Sequence, residues 1–151
     1  MNNKFFTVCG IIEINGKILL VRHTYGTAKD RILLPGGYVT ENELPTTAAE
    51  REILEETGVN AAARSLMAMQ FKSNQWCAVF IMDYLSGTPK SDGHENSEVL
   101  LLTAEEAVKR VDITNMSRQI LTAYMNGYYE LRKSEYVPAS AIRENYVIFG
   151  V

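Results

Sequence analysis

Residues 37–59 read GYVTENELPTTAAEREILEETGV, and the pattern inside this stretch decides how the rest of the chain is interpreted. From Pro45 to Thr57 it carries good helix formers, Ala48, Ala49, Glu50, Arg51 and Leu54, and Gly58 stands where a helix C-cap belongs. A helix over that span sets Glu52, Glu55 and Glu56 at i, i+3 and i+4, so three carboxylates crowd one face. Like charges at this spacing destabilise a helix by roughly a few tenths of a kcal/mol per pair. The spacing therefore predicts a compensating partner, and a hard, oxygen-seeking cation such as Mg²⁺ is the natural one. Such a cation would in turn neutralise a phosphate-bearing substrate.

Working outward, residues 7–14 read as a strand, Asn15-Gly16 as a tight hairpin turn and residues 17–23 as the returning strand. Both runs are nearly continuous in Val, Ile and Leu, which suits a sheet covered on both faces. A polar loop follows over residues 25–31. Beyond the helix, residues 64–71 and 76–85 form a second apolar pair. Residues 86–97, SGTPKSDGHENS, are the richest turn-forming stretch, and residues 98–102 make another short strand. Thr103-Ala104-Glu105-Glu106 has the form of a capping box opening a short helix. Ile120, Leu121, Tyr124, Met125, Tyr128 and Leu131 repeat at helical spacing, which predicts an amphipathic helix over residues 115–133. Strands alternating with helices give an α/β layered domain, with residues 1–151 as one unit.

At 151 residues the chain suits a single domain with a sizeable core. A net charge of −3 gives no basic footprint for nucleic acid. No apolar run is long enough to cross a bilayer, and the N-terminal apolar run, interrupted by Glu13, lacks a signal-peptide layout. Cys9 and Cys77 lie in apolar strand-like runs and read as buried free thiols. The expected location is the cytoplasm, with no membrane and no nucleic-acid partner.

The arrangement of Gly37, Glu43, Arg51, Glu52, Ile53, Glu55, Glu56, Gly58 and Val59 resembles the signature box of the Nudix hydrolases, with no fixed position altered. Leu33-Leu34-Pro35-Gly36-Gly37 also matches the loop that leads into that box. The resemblance implies an α/β/α sandwich around a mixed sheet. It also implies hydrolysis of a diphosphate bond in a nucleoside diphosphate linked to another moiety, with Mg²⁺, or Mn²⁺ in its place, as cofactor. Carried over residue by residue, the metal ligands would be Glu52, Glu55 and Glu56, with the backbone carbonyl of Gly36 completing the set. Arg51 can reach Glu55 one turn on and hold it, and Glu43 orients rather than ligates.

Many members of the family take the general base from a glutamate outside the box. Glu98 is the first candidate here, Glu95 the second and His94 a third. Arg22, Tyr38 and Gly37 are the candidate substrate contacts, with His23 and Trp76 weaker ones. The proline that marks many ADP-ribose-specific members is absent from Lys72-Ser73-Asn74-Gln75, which ranks that substrate lower. A nucleoside triphosphate remains an alternative substrate. A non-catalytic nucleotide sensor and an isoprenoid diphosphate isomerase are rivals that keep less of the pattern. The apolar C-terminus, Tyr146, Val147, Ile148, Phe149 and Val151, is expected to pack on its own domain, pair two copies into a homodimer, or close the substrate cleft.

Overall fold

The structure, a computed structural model, describes residues 4–151, so the first three residues of the N-terminal reading lie outside it. Its centre is a parallel pair of apolar strands, β1 (Phe6–Ile14) and β6 (Gln75–Ser86), in register from Phe6 opposite Trp76 to Ile12 opposite Met82. The remaining strands are β2 (Lys17–His23), β3 (Ile32–Leu33), β4 (Gly36–Tyr38), β5 (Asn60–Lys72), β7 (Asn96–Leu102) and β8 (Leu131–Arg132). They join in the order β3-β2-β1-β6-β5-β8, with β4 also on β1 and β7 also on β2. Among the described residues, every pairing of these strands except β1 with β6 is antiparallel.

The period-two alternation of the central strands explains why both faces are apolar. Val8, Ile12, Ala78, Phe80 and Met82 point to one face and pack against Ala48, Ala49 and Ile53 of helix α1 (Pro45–Thr57). Ile11, Val79 and Ile81 point to the other and meet Ile120 and Leu121 of α3 (Asn115–Met125) and Ala104 and Ala107 of α2 (Ala104–Val108). The result is the α/β/α sandwich with a mixed sheet that the family resemblance implied.

Local chemistry sets the helix bounds. Pro45 opens α1, where its missing N–H costs nothing, and Gly58 closes it in the left-handed region at φ 74°. Thr103 and Glu106 form the reciprocal capping box of α2, each bond 3.1 Å long. In contrast, α3 stops at Met125, well short of residue 133. Asn126 caps it and Gly127, at φ 83°, turns the chain away. Tyr128 still packs on the core from outside the helix, stacked on Tyr124 at 5.0 Å. Leu131 enters β8 opposite Leu66 and is exposed. A hydrophobic stripe thus ran on through a helix stop.

The C-terminal tail folds back on its own chain. Ser134 N donates to the Ile148 carbonyl at 2.9 Å, and Gly150 N to the Arg132 carbonyl at 2.9 Å. Phe149 lies 5.8 Å from Phe80, on the α1 face of the sheet. These bonds give the apolar tail partners within its own chain. Phe149→Ala should lower stability by about 2–3 kcal/mol, through lost burial and ring packing. Thermal melting of the variant beside a Val151→Ala control, whose side chain is exposed, checks this.

Candidate active site

The box folds as a strand laid against a helix. β4 pairs with β1, Cys9 opposite Gly36 and Val8 opposite Gly37, while α1 covers the same edge. Clearance there is so small that only glycine fits. A Cβ on Gly36 would run into the Val8 carbonyl, and one on Gly37 into the Glu52 carboxylate. The close approach lets Gly36 N donate to Glu56 Oε2 at 3.3 Å.

Glu56 is buried, with 2% of its surface exposed. Burial pushes its carboxyl up to about 8; the Gly36 N–H acts in the opposite direction, while Glu52, Glu95 and Asp92 add to the rise. Burial also raises Glu52, against the pull of Arg51. Oxygens of Glu52, Glu56 and Glu95 all lie within 4.8 Å of one another. Glu55, one turn from Glu52, is not part of this trio. Its side chain is 59% exposed and receives Arg51 Nη1 at 3.2 Å.

Arg51 ties the box together. It grips both oxygens of Glu43 at 2.7 and 3.0 Å, donates to Glu52 Oε1 at 2.9 Å and reaches the Tyr38 carbonyl at 3.0 Å. Glu43 accepts two further bonds, from the N–H and hydroxyl of Thr40. The Arg51 hydrogen bond chiefly holds the Glu43 carboxyl down at about 2.

The two glutamates offered as bases lie in different surroundings. Glu98 sits on β7 opposite Arg22, with the Arg22 Nε–Glu98 Oε2 distance at 3.0 Å. Arg22 also holds Asp112 at 3.0 Å and the Asp30 carbonyl at 2.8 Å. Arg22 and Glu98, the candidate substrate contact and the first candidate base, are thus each other's ion-pair partners. Glu95 instead faces the box. Its loop is anchored by Asn96, fully buried, whose Nδ2 donates to the Glu56 carbonyl at 2.8 Å. Ser91 Oγ donates to Asn96 Oδ1 at 2.6 Å, and Asp92 Oδ1 accepts from the N–H groups of His94 and Asn96. Thr24 N and Oγ1 donate to the Glu95 carbonyl, both at 3.1 Å.

Asn96 and Thr24 escaped the sequence reading, since each acts through residues distant in the chain. A cleft of about 440 Å³ opens over this region, with Glu52, Glu95, Gly36, Gly37, Tyr38, His23 and Tyr25 in its wall and an apolar floor that includes Val8, Leu34 and Ile120. Trp76 is absent from that wall; it packs against Phe5 at 5.3 Å and Phe71 at 5.0 Å. An all-oxygen trio with a buried, proton-holding member fits a hard divalent cation, which such donors prefer.

The NUDIX domain family model matches residues 4–124, and the chain belongs to that family. An ADP-ribose pyrophosphatase of Methanocaldococcus jannaschii is 36% identical over 90 residues, covering 56% of this chain and 53% of that relative. The chain thus spans about half the length of this curated relative. A NUDIX hydrolase from Nitrosomonas europaea superposes with a TM-score of 0.74 at 27% identity, over 83% of this chain and 72% of that one. The E. coli ORF135 protein superposes with a TM-score of 0.65 at 25% identity, over 80% and 88% of the two chains.

The buried acid gives a pH signature. Glu56 keeps its proton to about pH 8 when folded, against an ordinary value of 4.5. Between those values unfolding releases a proton, so rising pH favours the unfolded chain. In metal-free protein, Glu56→Gln should therefore melt above wild type at and beyond pH 8, and the gap should close near pH 4.5. Thermal melts across that range check it.

Proposed function

We propose that this protein hydrolyses a phosphoanhydride bond in a nucleoside diphosphate joined to a second moiety, with Mg²⁺, or Mn²⁺ in its place, held by Glu52 and Glu56. The observation that carries this reading is the convergence of Glu52, Glu56 and Glu95 within 4.8 Å, with Glu52 and Glu95 in the wall of an open cleft and Glu56 buried behind them. Three acids alone would repel a diphosphate, so the arrangement makes chemical sense around a cation. When bound, the cation supplies positive charge against the phosphate oxygens and lowers the cost of the developing charge.

The remaining work falls to the chain's own groups. Arg51 fixes the Glu52 carboxylate through one guanidinium arm while its others lock Glu43 and the Tyr38 carbonyl. Gly36 N–H orients Glu56. Glu95, on the loop pinned by Asn96 and Thr24, accepts the proton of the attacking water. This assignment replaces Glu98, whose carboxylate is committed to Arg22. Glu55 is left a supporting role, as the exposed partner of Arg51 rather than a ligand of the trio.

For the substrate, the ADP-ribose pyrophosphatase relative supports an ADP-linked compound. That moves ADP-ribose up from the lower rank the missing proline gave it, and makes it the first compound to assay. Activity should vanish on chelation and return with Mg²⁺. Glu95→Gln should lower kcat on the order of a hundredfold or more even at saturating Mg²⁺, whereas Glu98→Gln should stay within about threefold of wild type in kcat. Steady-state release of nucleoside monophosphate measures both. Equal losses in the two variants, or none in Glu95→Gln, would remove Glu95 from the role.

A further inference from the structure

One aromatic side chain in the cleft has no part in the chemistry above. Tyr25 is 51% exposed, a large ring left half in water beside the carboxylate trio. One of its faces is stacked on His23, with ring centroids 5.2 Å apart and planes 12° from parallel. The turn that carries it is fastened on both sides. Thr24 Oγ1 donates to the His94 carbonyl at 2.8 Å, and Asp30 N to the His23 carbonyl at 2.9 Å. Gly26, at φ 71°, provides the bend directly after the ring.

We propose that Tyr25 is the stacking platform for the planar aromatic moiety of the substrate, a nucleobase in the nucleotide derivative assigned above, on which reading this inference rests. Stacking on a ring already held by His23 extends a preformed column and loses little freedom on binding. A nucleobase is uncharged, so it settles beside the acidic end of the cleft without the repulsion that a second anionic group would meet. The platform reads flatness and π surface, and so takes a base-bearing ligand over the same sugar phosphate without a base. Base-on-aromatic stacking is worth about tenfold or more in affinity.

Binding of two probes, AMP and ribose 5-phosphate, tests this without any turnover. They share the sugar phosphate and differ in the base. In heteronuclear NMR titrations the wild type should bind AMP about tenfold or more tightly than ribose 5-phosphate. Tyr25→Ala should erase that preference by weakening AMP alone, and Tyr25→Phe should keep it, because the ring and not the hydroxyl is the contact. In steady state, Tyr25→Ala should raise KM for the nucleotide substrate by about tenfold with kcat within about twofold. Matching amide spectra away from residues 23–31 show that the variants are folded. A preference for AMP that survives in Tyr25→Ala overturns the proposal, as does its loss in Tyr25→Phe, or a wild type that binds the probes equally or binds neither. Should the AMP preference behave as stated while no nucleotide derivative is hydrolysed, the platform stands and the hydrolase reading fails.

Discussion

The contact on which the site depends is the close packing of Gly36 and Gly37 against Glu52 and Glu56. Strand β4 is held by β1, which in turn is held by β6, so the whole central sheet fixes where the two glycines sit. Helix α1 is pressed onto the same edge by Ala48, Ala49 and Ile53, all fully buried. A side chain on Gly37 would meet the Glu52 carboxylate and one on Gly36 the backbone of Val8 and Cys9, and the Gly36 N–H is left 3.3 Å from a buried carboxylate. The acid cluster is therefore not an exposed helix face that happens to be charged. It is part of the core's packing, and moving it would mean moving the sheet.

Such a site carries an electrostatic cost in the absence of a cation. Glu56 is desolvated, and Glu52 and Glu95 crowd it with further negative charge. The only guanidinium among the described residues that reaches the box carboxylates is Arg51, which contacts Glu43, Glu52 and Glu55 but not Glu56. A protein that keeps such an arrangement stores destabilisation at one place, and functional sites are where it is found. The third carboxylate comes from a different part of the fold, a loop that closes on α1 through Asn96 and the Glu56 carbonyl. One buried amide thus joins the loop carrying Glu95 to the helix carrying Glu56.

How much of this was legible in the sequence depended on how local each signal was. The bounds of α1 could be read because Pro45 and Gly58 act within one turn of themselves. The Arg51–Glu43 clamp joins residues that lie in the same motif. The extent of α3 was overread, since Tyr128 and Leu131 continue the apolar spacing past Asn126 and Gly127, where the backbone had already turned. Glu95 and Glu98 stand three residues apart and look alike in sequence. What separates them is the register of β7 on β2, which hands Glu98 to Arg22. Arg22's second carboxylate partner, Asp112, is 90 residues away in the chain, and no spacing rule reveals such a pair. The inward fold of the tail likewise rests on Phe149 meeting Phe80.

The most direct measurement of the cation-binding reading is the number of protons released when Mg²⁺ binds. Titration calorimetry of metal-free protein at pH 7, repeated in two buffers of different ionisation enthalpy, gives that number. A buried Glu56 whose carboxyl titrates at about 8 must lose its proton to become a ligand, so roughly one proton should leave per bound ion, and Glu56→Gln should release none. Binding of Mg²⁺ with no proton release in the wild type would contradict a buried, protonated Glu56 as the ligand at the centre of this site.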